Sequence, residues 1–169
     1  MEICQINLHR CRAAQFALHR YVEKESPLVI LAQEPWTIGN KVAGKIPWTT
    51  LFAKAASKRP RACVVTRGLQ GWMMGQFSDQ DMVTVMVNGA LGGGSKLILA
   101  SVYMAAEEPT PPRLLRELVE HCRLENTPLL VGTDTNSHHI AWGSTDTNSR
   151  GDELMDFIDG QYGGECLLF

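Results

Sequence analysis

"VGTDTNSHHIAWGSTDTNSRG", residues 131–151, follows the apolar run at 129–131 and begins where a buried strand is predicted to end. The stretch holds two aspartates, two asparagines, two histidines, an arginine and a tryptophan. So many hydrogen-bonding side chains directly after a core strand indicate a site for something anionic or metallic. In open α/β sheets, such sites form where the carboxyl ends of strands meet.

Hydrophobic periodicity around this stretch predicts an α/β protein. We predict strands at 2–8, 28–32, 48–53, 61–66, 82–88, 96–103 and 127–132, and helices at 11–24, 110–125 and 152–159. Strand, helix and strand in that order predict a βαβ-like opening, and the apolar run at 28–32 is typical of a strand covered on both faces. The glycine-rich "GALGGGSK" (89–96) lacks the spacing of a phosphate-binding loop and lies between two strands, which favours a hairpin turn.

The composition is that of an ordinary globular protein, with 44% hydrophobic and 20% charged residues among 169. This length suits one domain, and we predict a single domain over 1–169. No apolar run approaches the roughly 20 residues that span a bilayer, so we expect no membrane partner. The start of the chain does not read as a secretory signal, and the five cysteines contain no C-x-x-C pair. Both features indicate reduced thiols in an intracellular protein.

The charge distribution is more informative than the net charge of −2, which by itself argues weakly against nucleic-acid binding. Residues 35–78 contain no aspartate or glutamate. The same segment carries seven basic residues: Lys41, Lys45, Lys54, Lys58, Arg59, Arg61 and Arg67. Two interpretations stay open, a solvated loop face and a surface that contacts phosphates.

Polar side chains stand at the ends of four predicted strands. They are Asn7, the pair Gln33 and Glu34, Tyr103, and the pair Asp134 and Asn136. Taken singly, each has an ordinary explanation, such as a turn former, a surface acid or a half-buried strand aromatic. Taken together, they predict one shared site at the carboxyl ends of the strands.

The residue types narrow the chemistry of this predicted site. The sequence has no G-x-S-x-G elbow, no Ser-His-Asp order and no signature of a catalytic cysteine. Carboxylate and amide oxygens suit Mg²⁺ or Mn²⁺ better than Zn²⁺, and such a site fits metal-assisted attack of water on a phosphodiester. Adjacent His138 and His139 point different ways on most backbones and lack partner ligands at zinc spacing, so a structural role is favoured.

Five motifs, "INLHRCRAA", "QEPW", "SVYM", "GTDTN" and "WGSTDTNSRG", resemble the endonuclease domain of insect non-LTR retrotransposons. These domains form part of the endonuclease/exonuclease/phosphatase superfamily, together with apurinic/apyrimidinic endonucleases and pancreatic deoxyribonuclease. The resemblance extends from the start of the chain to about Ile158. It implies a four-layered α/β sandwich and Mg²⁺-dependent (or Mn²⁺-dependent) nicking of double-stranded DNA. The nick would supply the 3′-hydroxyl that primes reverse transcription, within a larger polyprotein that acts in the nucleus.

The resemblance also implies roles for the polar strand ends. Glu34 would be the metal ligand, with Asn7 beside it at the metal or the phosphate. Asp134 would orient and activate the attacking water as a base. Asn136 and Tyr103 would donate hydrogen bonds to the scissile phosphate.

Further residues are assigned to the DNA or to the framework of the site. Asn148 matches the later active-site asparagine and would hold the DNA backbone or a catalytic partner. Arg150 would brace its own loop, with DNA contact as the second interpretation. We expect Trp36 and Trp142 to act as packing anchors. The residues predicted to bind DNA are Lys54, Lys58, Arg59, Arg61 and Arg150.

The tail "DGQYGGECLLF" (159–169) departs from the family. The resemblance implies further strands here, which carry an Asp and then Ser-Asp-His, and their absence predicts an unpaired sheet edge and exposed apolar surface. Three interpretations stay open: a truncated sequence, a divergent tail, and a fold that another chain completes. Two other functions therefore stay open: a catalytically inactive DNA-binding module of the same fold, and a different phosphodiesterase or phosphatase of the superfamily.

Overall fold

The computed structural model describes residues 1–22, 28–54, 57–89 and 94–160, together with the backbone of 166–168. In chain order the elements are β1 (Glu2–Asn7), α1 (Arg12–Val22), β2 (Leu28–Gln33), β3 (Thr37–Ile38), β4 (Lys41–Val42), β5 (Thr50–Phe52), β6 (Ala62–Arg67), β7 (Gly71–Met73), β8 (Met82–Asn88), β9 (Lys96–Tyr103), α2 (Arg113–Leu124), β10 (Leu129–Asp134), α3 (Ser149–Asp159) and β11 (Cys166–Leu168). Short 3₁₀ turns cover Gly75–Phe77 and Ile140–Trp142.

The strands form two mixed sheets and a small hairpin. The first sheet has the order β1-β2-β6-β5, the second has the order β11-β10-β9-β8-β7, and β3 pairs with β4. β1 runs parallel to β2, and β9 runs parallel to β10, whereas β6 and β8 are antiparallel to their neighbours. The βαβ opening predicted from the sequence is therefore confirmed.

Three apolar clusters build four layers. One lies between the sheets and joins Val29, Leu31 and Val64 of the first sheet to Val85 and Leu99 of the second. A second covers the outer face of the first sheet with α1, and a third covers the outer face of the second sheet with α2 and α3. This α/β sandwich is the predicted fold. β2 is buried along its whole length because both its faces are covered, as its continuous apolar sequence predicts.

Several short elements differ from the sequence predictions. β3, β4, β7 and β11 were not predicted, because strands of two or three residues are too short to show alternation. α3 begins at Ser149 rather than 152, and α2 begins at Arg113 after Pro111 and Pro112. The glycine-rich turn does join an antiparallel pair, with Asn88 opposite Lys96, although residues 90–93 lie outside the described part.

The tail contributes a strand that the sequence did not predict. β11 pairs in parallel with β10, with Cys166 opposite Leu129 and Leu168 opposite Val131. β10 is therefore covered along 129–131, and β11 is the outermost strand of the described sheet on this side. Within the described residues, no helix is both long enough and apolar enough to cross a membrane.

Candidate active site

The carboxyl ends of β1, β2, β9 and β10 meet at one edge of the sandwich, which we call the site rim. Parallel pairing brings Asn7 opposite Gln33 in the first sheet and Tyr103 opposite Asp134 in the second. The two sheets are joined at this rim because the Asn7 side-chain amide donates a hydrogen bond to the Asp134 carboxylate. Side chains from both halves of the chain thus line one site.

Asp134 is held from several sides. Its backbone carbonyl accepts from the Met104 N–H (2.8 Å), and its Oδ1 accepts from the Asn136 N–H (3.3 Å). Asn136 adopts a left-handed φ of 45° and donates its side-chain amide to the Met104 carbonyl (3.1 Å). This turn places an amide and a carboxylate side by side at the end of β10, with Asn7 as the partner from the other sheet.

Glu34 also lies at the rim, one residue beyond β2, with a left-handed φ of 46°. Its side chain is only 15% exposed, and its Oε1 lies 2.8 Å from the Arg10 guanidinium. The Oε2 lies 3.8 Å from Nδ1 of His9, and the backbone N–H of His9 donates to the Asn7 side-chain oxygen (2.7 Å). Sequence reasoning missed Arg10 and His9 as neighbours of Glu34, although their closeness to Asn7 in "NLHR" was an available signal.

Tyr103 packs against a half-buried ion pair, that of Arg61 and Asp81. The Arg61 guanidinium lies 4.8 Å from the centre of the Tyr103 ring and donates two hydrogen bonds to the Asp81 carboxylate. The hydrogen bonds to Asp81 raise the pKa of Arg61. The Arg61 carbonyl also accepts from the Glu34 N–H (2.8 Å). Arg61 therefore links Glu34 to Tyr103, and its predicted DNA contact stays a prediction.

A buried polar cluster beneath the rim connects the two sheets. The Gln33 side chain, 0% exposed, donates to Ser101 Oγ (3.0 Å) and to the Gly132 carbonyl (3.0 Å), and accepts from Gln5 (2.6 Å). Ser101 Oγ donates in turn to the Ala32 carbonyl (2.9 Å). Because Gln33 precedes Glu34 and Gly132 precedes Asp134 by two residues, this cluster sets the spacing of both carboxylates. The sequence predicted Gln33 as a polar strand end but did not predict its partners Ser101, Gly132 and Gln5.

The loop 135–151 is braced by Asn148 and Gly151. The Asn148 side-chain oxygen accepts from the Gly151 N–H (2.9 Å), which caps α3, and from the His138 N–H (3.2 Å). A Cβ on Gly151 would lie 1.9 Å from the His138 carbonyl oxygen, so only glycine fits. Asn148 contacts the backbone of its own loop rather than the other predicted site residues. Its predicted contact with DNA stays a prediction, and the side-chain nitrogen would have to make that contact.

Arg150 holds the same loop against the segment that follows β9. Its guanidinium donates to four backbone carbonyls, those of Ala105, Ala106, Glu108 and Thr135. This geometry corresponds to the bracing role that the sequence favoured. Its second interpretation, contact with DNA, would compete with these bonds.

The histidines and tryptophans of the predicted site are engaged within the fold. His138 Nδ1 lies 2.8 Å from Asp146, and His139 Nδ1 accepts from the Ala141 N–H (3.0 Å). Trp142 lies against the His139 ring, with 5.0 Å between centroids, yet is 38% exposed, so it is only partly buried as an anchor. In the described part of the chain, no group of three His, Cys, Asp or Glu side chains could hold a metal ion.

Part of the basic segment also lies near the site rim. Lys58 and Arg59 are exposed and form no ion pair within the described residues. Lys54 donates to the Gly75 carbonyl (2.8 Å), which ties the edge of the first sheet to the edge of the second. Trp36 lies 5.3 Å beneath the Arg12 guanidinium and 6.2 Å from Phe16, so it packs against α1 as expected.

The donor types at the rim suit a hard divalent cation. Glu34 and Asp134 supply carboxylate oxygens and Asn7 supplies an amide oxygen, which are the ligands Mg²⁺ prefers. The Arg10 guanidinium lies against the Glu34 carboxylate that a cation would use. The residues therefore fit such an ion, provided that Arg10 yields its place beside Glu34.

Comparisons with known proteins bear on the fold and on the family of part of the chain. Residues 97–163 match the family model described as endonuclease-reverse transcriptase. Among solved structures, the endonuclease domain of TRAS1, a telomere-specific non-LTR retrotransposon, matches with a TM-score of 0.69 and 21% identity, over 93% of this chain and 68% of that one. No curated protein matches the chain. The resemblance read from the motifs is therefore confirmed: residues 97–163 match an endonuclease-reverse transcriptase family, and the chain has the fold of a non-LTR retrotransposon endonuclease domain.

Proposed function

We propose that this chain is a divalent-metal-dependent endonuclease that nicks double-stranded DNA to prime reverse transcription of a retrotransposon. The observation that carries the proposal is the hydrogen bond from Asn7 to Asp134, which joins the two sheets beside Glu34. Phosphodiester hydrolysis needs oxygen ligands for a cation, a base for water and donors to the phosphate, within one site. The residues at the rim include all three types.

Each side chain has a role in this proposal. Glu34 and Asn7 would hold Mg²⁺ or Mn²⁺, which supplies positive charge to the phosphate. Asp134 accepts the proton of the attacking water, because its carboxylate is an acceptor held in place by Asn7 and Asn136. Asn136 and Tyr103 donate to the phosphate oxygens, where negative charge builds in the transition state.

A supercoiled-plasmid assay tests the proposal. Incubation with Mg²⁺ should convert supercoiled DNA to the open-circular form, and EDTA should stop the reaction. Glu34→Gln and Asp134→Asn keep the side-chain shape and should each lower the rate by roughly 10²–10⁴-fold, the usual contribution of a positioned catalytic group. Asp159→Asn, at the exposed end of α3, is the matched control and should leave the rate unchanged. Equal nicking by wild type and both rim variants would refute the proposal.

One observation favours a second candidate, a DNA-binding module without catalysis. The Arg10 guanidinium already neutralises the Glu34 carboxylate, so a cation must displace an ion pair to bind. DNA retention that weakens with salt, without Mg²⁺-dependent nicking, would support this candidate. Release of phosphate from acidic lipid headgroups, without nicking, would favour a phosphatase of the superfamily instead.

The wider context is part of the same proposal. The family description that matches 97–163 names a reverse transcriptase, and the fold is shared with a domain of a retrotransposon. We infer that the native partner is a reverse transcriptase within a larger polyprotein. The site of action would be the nucleus, where the target DNA lies.

A further inference from the structure

The hairpin of β3 and β4 leaves the site rim directly after Glu34. Ile38 is the last residue of β3, is paired with Lys41, and is 67% exposed. The tip, Gly39, has a left-handed φ of 59° and has no atom within 4 Å of where its Cβ would be. An apolar side chain thus stands in the open beside the tip of a short hairpin, four residues beyond the predicted metal ligand.

This hairpin is attached to the basic segment. The Asn40 side-chain amide donates to the Ser57 carbonyl (2.7 Å). Lys58 and Arg59 follow directly and are exposed, and the chain then reaches the rim at Arg61, whose carbonyl accepts from the Glu34 N–H. The hairpin and the basic segment are therefore held together on the same side of the molecule as Glu34.

The charged residues of the segment that contains the hairpin, 35–78, are all basic. Lys41 belongs to the hairpin, Lys58 and Arg59 follow Ser57, which Asn40 contacts, and no aspartate or glutamate occurs anywhere in 35–78. A surface of this kind is electrostatically complementary to a polyanion. It repels a basic protein face much more than an acidic one. The apolar residue amid these cations is what sets the hairpin apart from an ordinary phosphate-contacting loop.

Two other strongly exposed apolar residues lie away from Glu34, whereas Ile140 is 69% exposed in the loop that follows Asn136 of the second sheet. Leu124 is 68% exposed but ends α2, shortly before β10 begins at the opposite rim. Trp48 is 92% exposed but precedes β5, where Thr50 lies opposite Thr66 near the far end of β6. Ile38 therefore combines exposure with a place beside Glu34, which these two residues do not.

We propose that Ile38 is an apolar wedge that enters a base step of duplex DNA beside the cleaved phosphate, while Lys41, Lys58 and Arg59 contact the flanking phosphates. Proteins that bend DNA insert side chains such as Ile between base pairs and thereby unstack a step. Base steps that unstack easily are then the preferred sites, because their deformation costs the least free energy. This inference rests on the proposed function, since it assigns how the same site selects its DNA.

The test uses the full 169-residue chain and duplex oligonucleotides that carry 2-aminopurine at successive positions. Its fluorescence rises when the base is unstacked, and the reading requires no cleavage, so EDTA is present throughout. Wild type is expected to raise the fluorescence at one or two adjacent positions, more strongly at a TA step than at a GC step. Ile38→Ala is expected to lose this rise, and Ile38→Met, which keeps an apolar side chain, is expected to retain it.

Matched variants separate the wedge from the electrostatic contacts. Leu124→Ala removes an equally exposed apolar side chain and should behave as wild type. Ile38→Ala should keep the salt dependence of binding. Lys58→Gln and Arg59→Gln should each make the negative slope of log K against log salt less steep by about 0.9. A rise that persists in Ile38→Ala, or that is absent at every position in wild type, would overturn the inference.

Nicking distinguishes this inference from the proposed function. A wild-type chain that unstacks the base through Ile38 but does not nick plasmid would refute the endonuclease and keep the wedge. Nicking by both wild type and Ile38→Ala, with the same distribution of cleavage positions on an end-labelled duplex, would keep the endonuclease and refute the wedge. Binding to neutral lipid vesicles or to protein, with no binding to DNA, would refute both the endonuclease and the wedge.

Discussion

Asn7 at the end of β1 donates its side-chain amide to the carboxylate of Asp134 at the end of β10, 127 positions further along the chain. This bond crosses from one sheet to the other at the rim where Glu34 also lies. It makes the site a property of the sandwich, because neither sheet by itself contains both partners.

The Asn7–Asp134 contact predicts a metal-dependent stability. Asn7→Asp would bring two carboxylates into contact, and like charges at such a distance repel. We expect a lower Tm in EDTA than for wild type, with recovery on addition of Mg²⁺, because a cation between the two carboxylates relieves the repulsion. Thermal unfolding with and without Mg²⁺ measures this. Asn88→Asp, at the exposed end of β8 on the other rim, should show no Mg²⁺ dependence. A Tm of Asn7→Asp that does not respond to Mg²⁺ would argue against a cation at this rim.

The buried cluster around Gln33 predicts a stability loss that a surface change does not produce. Gln33→Leu removes the donor to Ser101 and Gly132 and leaves the buried Gly132 carbonyl without that partner. An unsatisfied buried group costs about 1–3 kcal/mol, so urea unfolding should show a loss of that size. Gln70→Leu changes an exposed glutamine and should alter the free energy of unfolding by less than about 0.5 kcal/mol. Equal effects of the two changes would contradict the role of this cluster.

Gly151 predicts a steric requirement at the start of α3. Gly151→Ala would place a Cβ 1.9 Å from the His138 carbonyl, so the loop 135–151 or the helix must move. Forced overlap in a packed region costs about 1–3 kcal/mol or more, and Tm should fall accordingly. Gly75→Ala is the control, because its Cβ would meet nothing within 4 Å at an ordinary φ. Unchanged stability of Gly151→Ala would show that this approach is not a constraint in solution.

Arg150 has two possible roles that one variant separates. Arg150→Lys cannot reproduce four hydrogen bonds with a single ammonium group, so we expect a loss of stability of about 1–3 kcal/mol. The salt dependence of DNA binding should stay that of wild type if Arg150 only braces its loop. Arg113→Lys, at a side chain that is 83% exposed, should change neither quantity measurably. A lower salt slope with unchanged stability would instead assign Arg150 to DNA.

Cys63 predicts how stability changes in alkaline solution. Burial raises the pKa of the Cys63 thiol from 9.0 to about 12. As pH rises from about 9 to about 12, the unfolded chain releases this proton while the folded chain keeps it, so stability falls by roughly 1.4 kcal/mol per pH unit from this group. Cys63→Ala should lack this part of the slope. Cys11→Ala, at an exposed cysteine, should keep it, and identical slopes in all three proteins would contradict the prediction.

The sequence predicted the fold well where an element's own residues report its burial. β2 reads as a continuous apolar run because both of its faces are covered, and the strands predicted at 82–88 and 96–103 match β8 and β9. Proline residues before α2 marked its start to within a few positions. The short hairpin of β3 and β4 escaped prediction because two residues on each side show no periodicity, although this hairpin carries Ile38.

In the candidate site, too, local features were predicted and contacts between distant segments were not. Asn7, Glu34, Tyr103 and Asp134 were identifiable because each polar residue follows an apolar strand, and motifs of adjacent residues reinforced that pattern. The partners of these residues were not predicted, although the closeness of His9 and Arg10 to Asn7 in "NLHR" was an available signal for one of them. Arg10 beside Glu34, Gln33 bonded to Gly132, and Arg61 beneath Tyr103 all depend on distances between segments that are remote in sequence.

By itself, the sequence determined which longer segments are strands and helices, in which order these occur, and which polar residues stand at their ends. These properties are local, since they depend on the alternation and apolar character of neighbouring residues. Only the tertiary structure decided which polar groups meet and which are already engaged, such as Asn148 in a helix cap and Arg150 on four carbonyls. The physical reason is that these contacts arise from the packing of one sheet on the other, and no periodicity along the chain encodes the distance between Asn7 and Asp134.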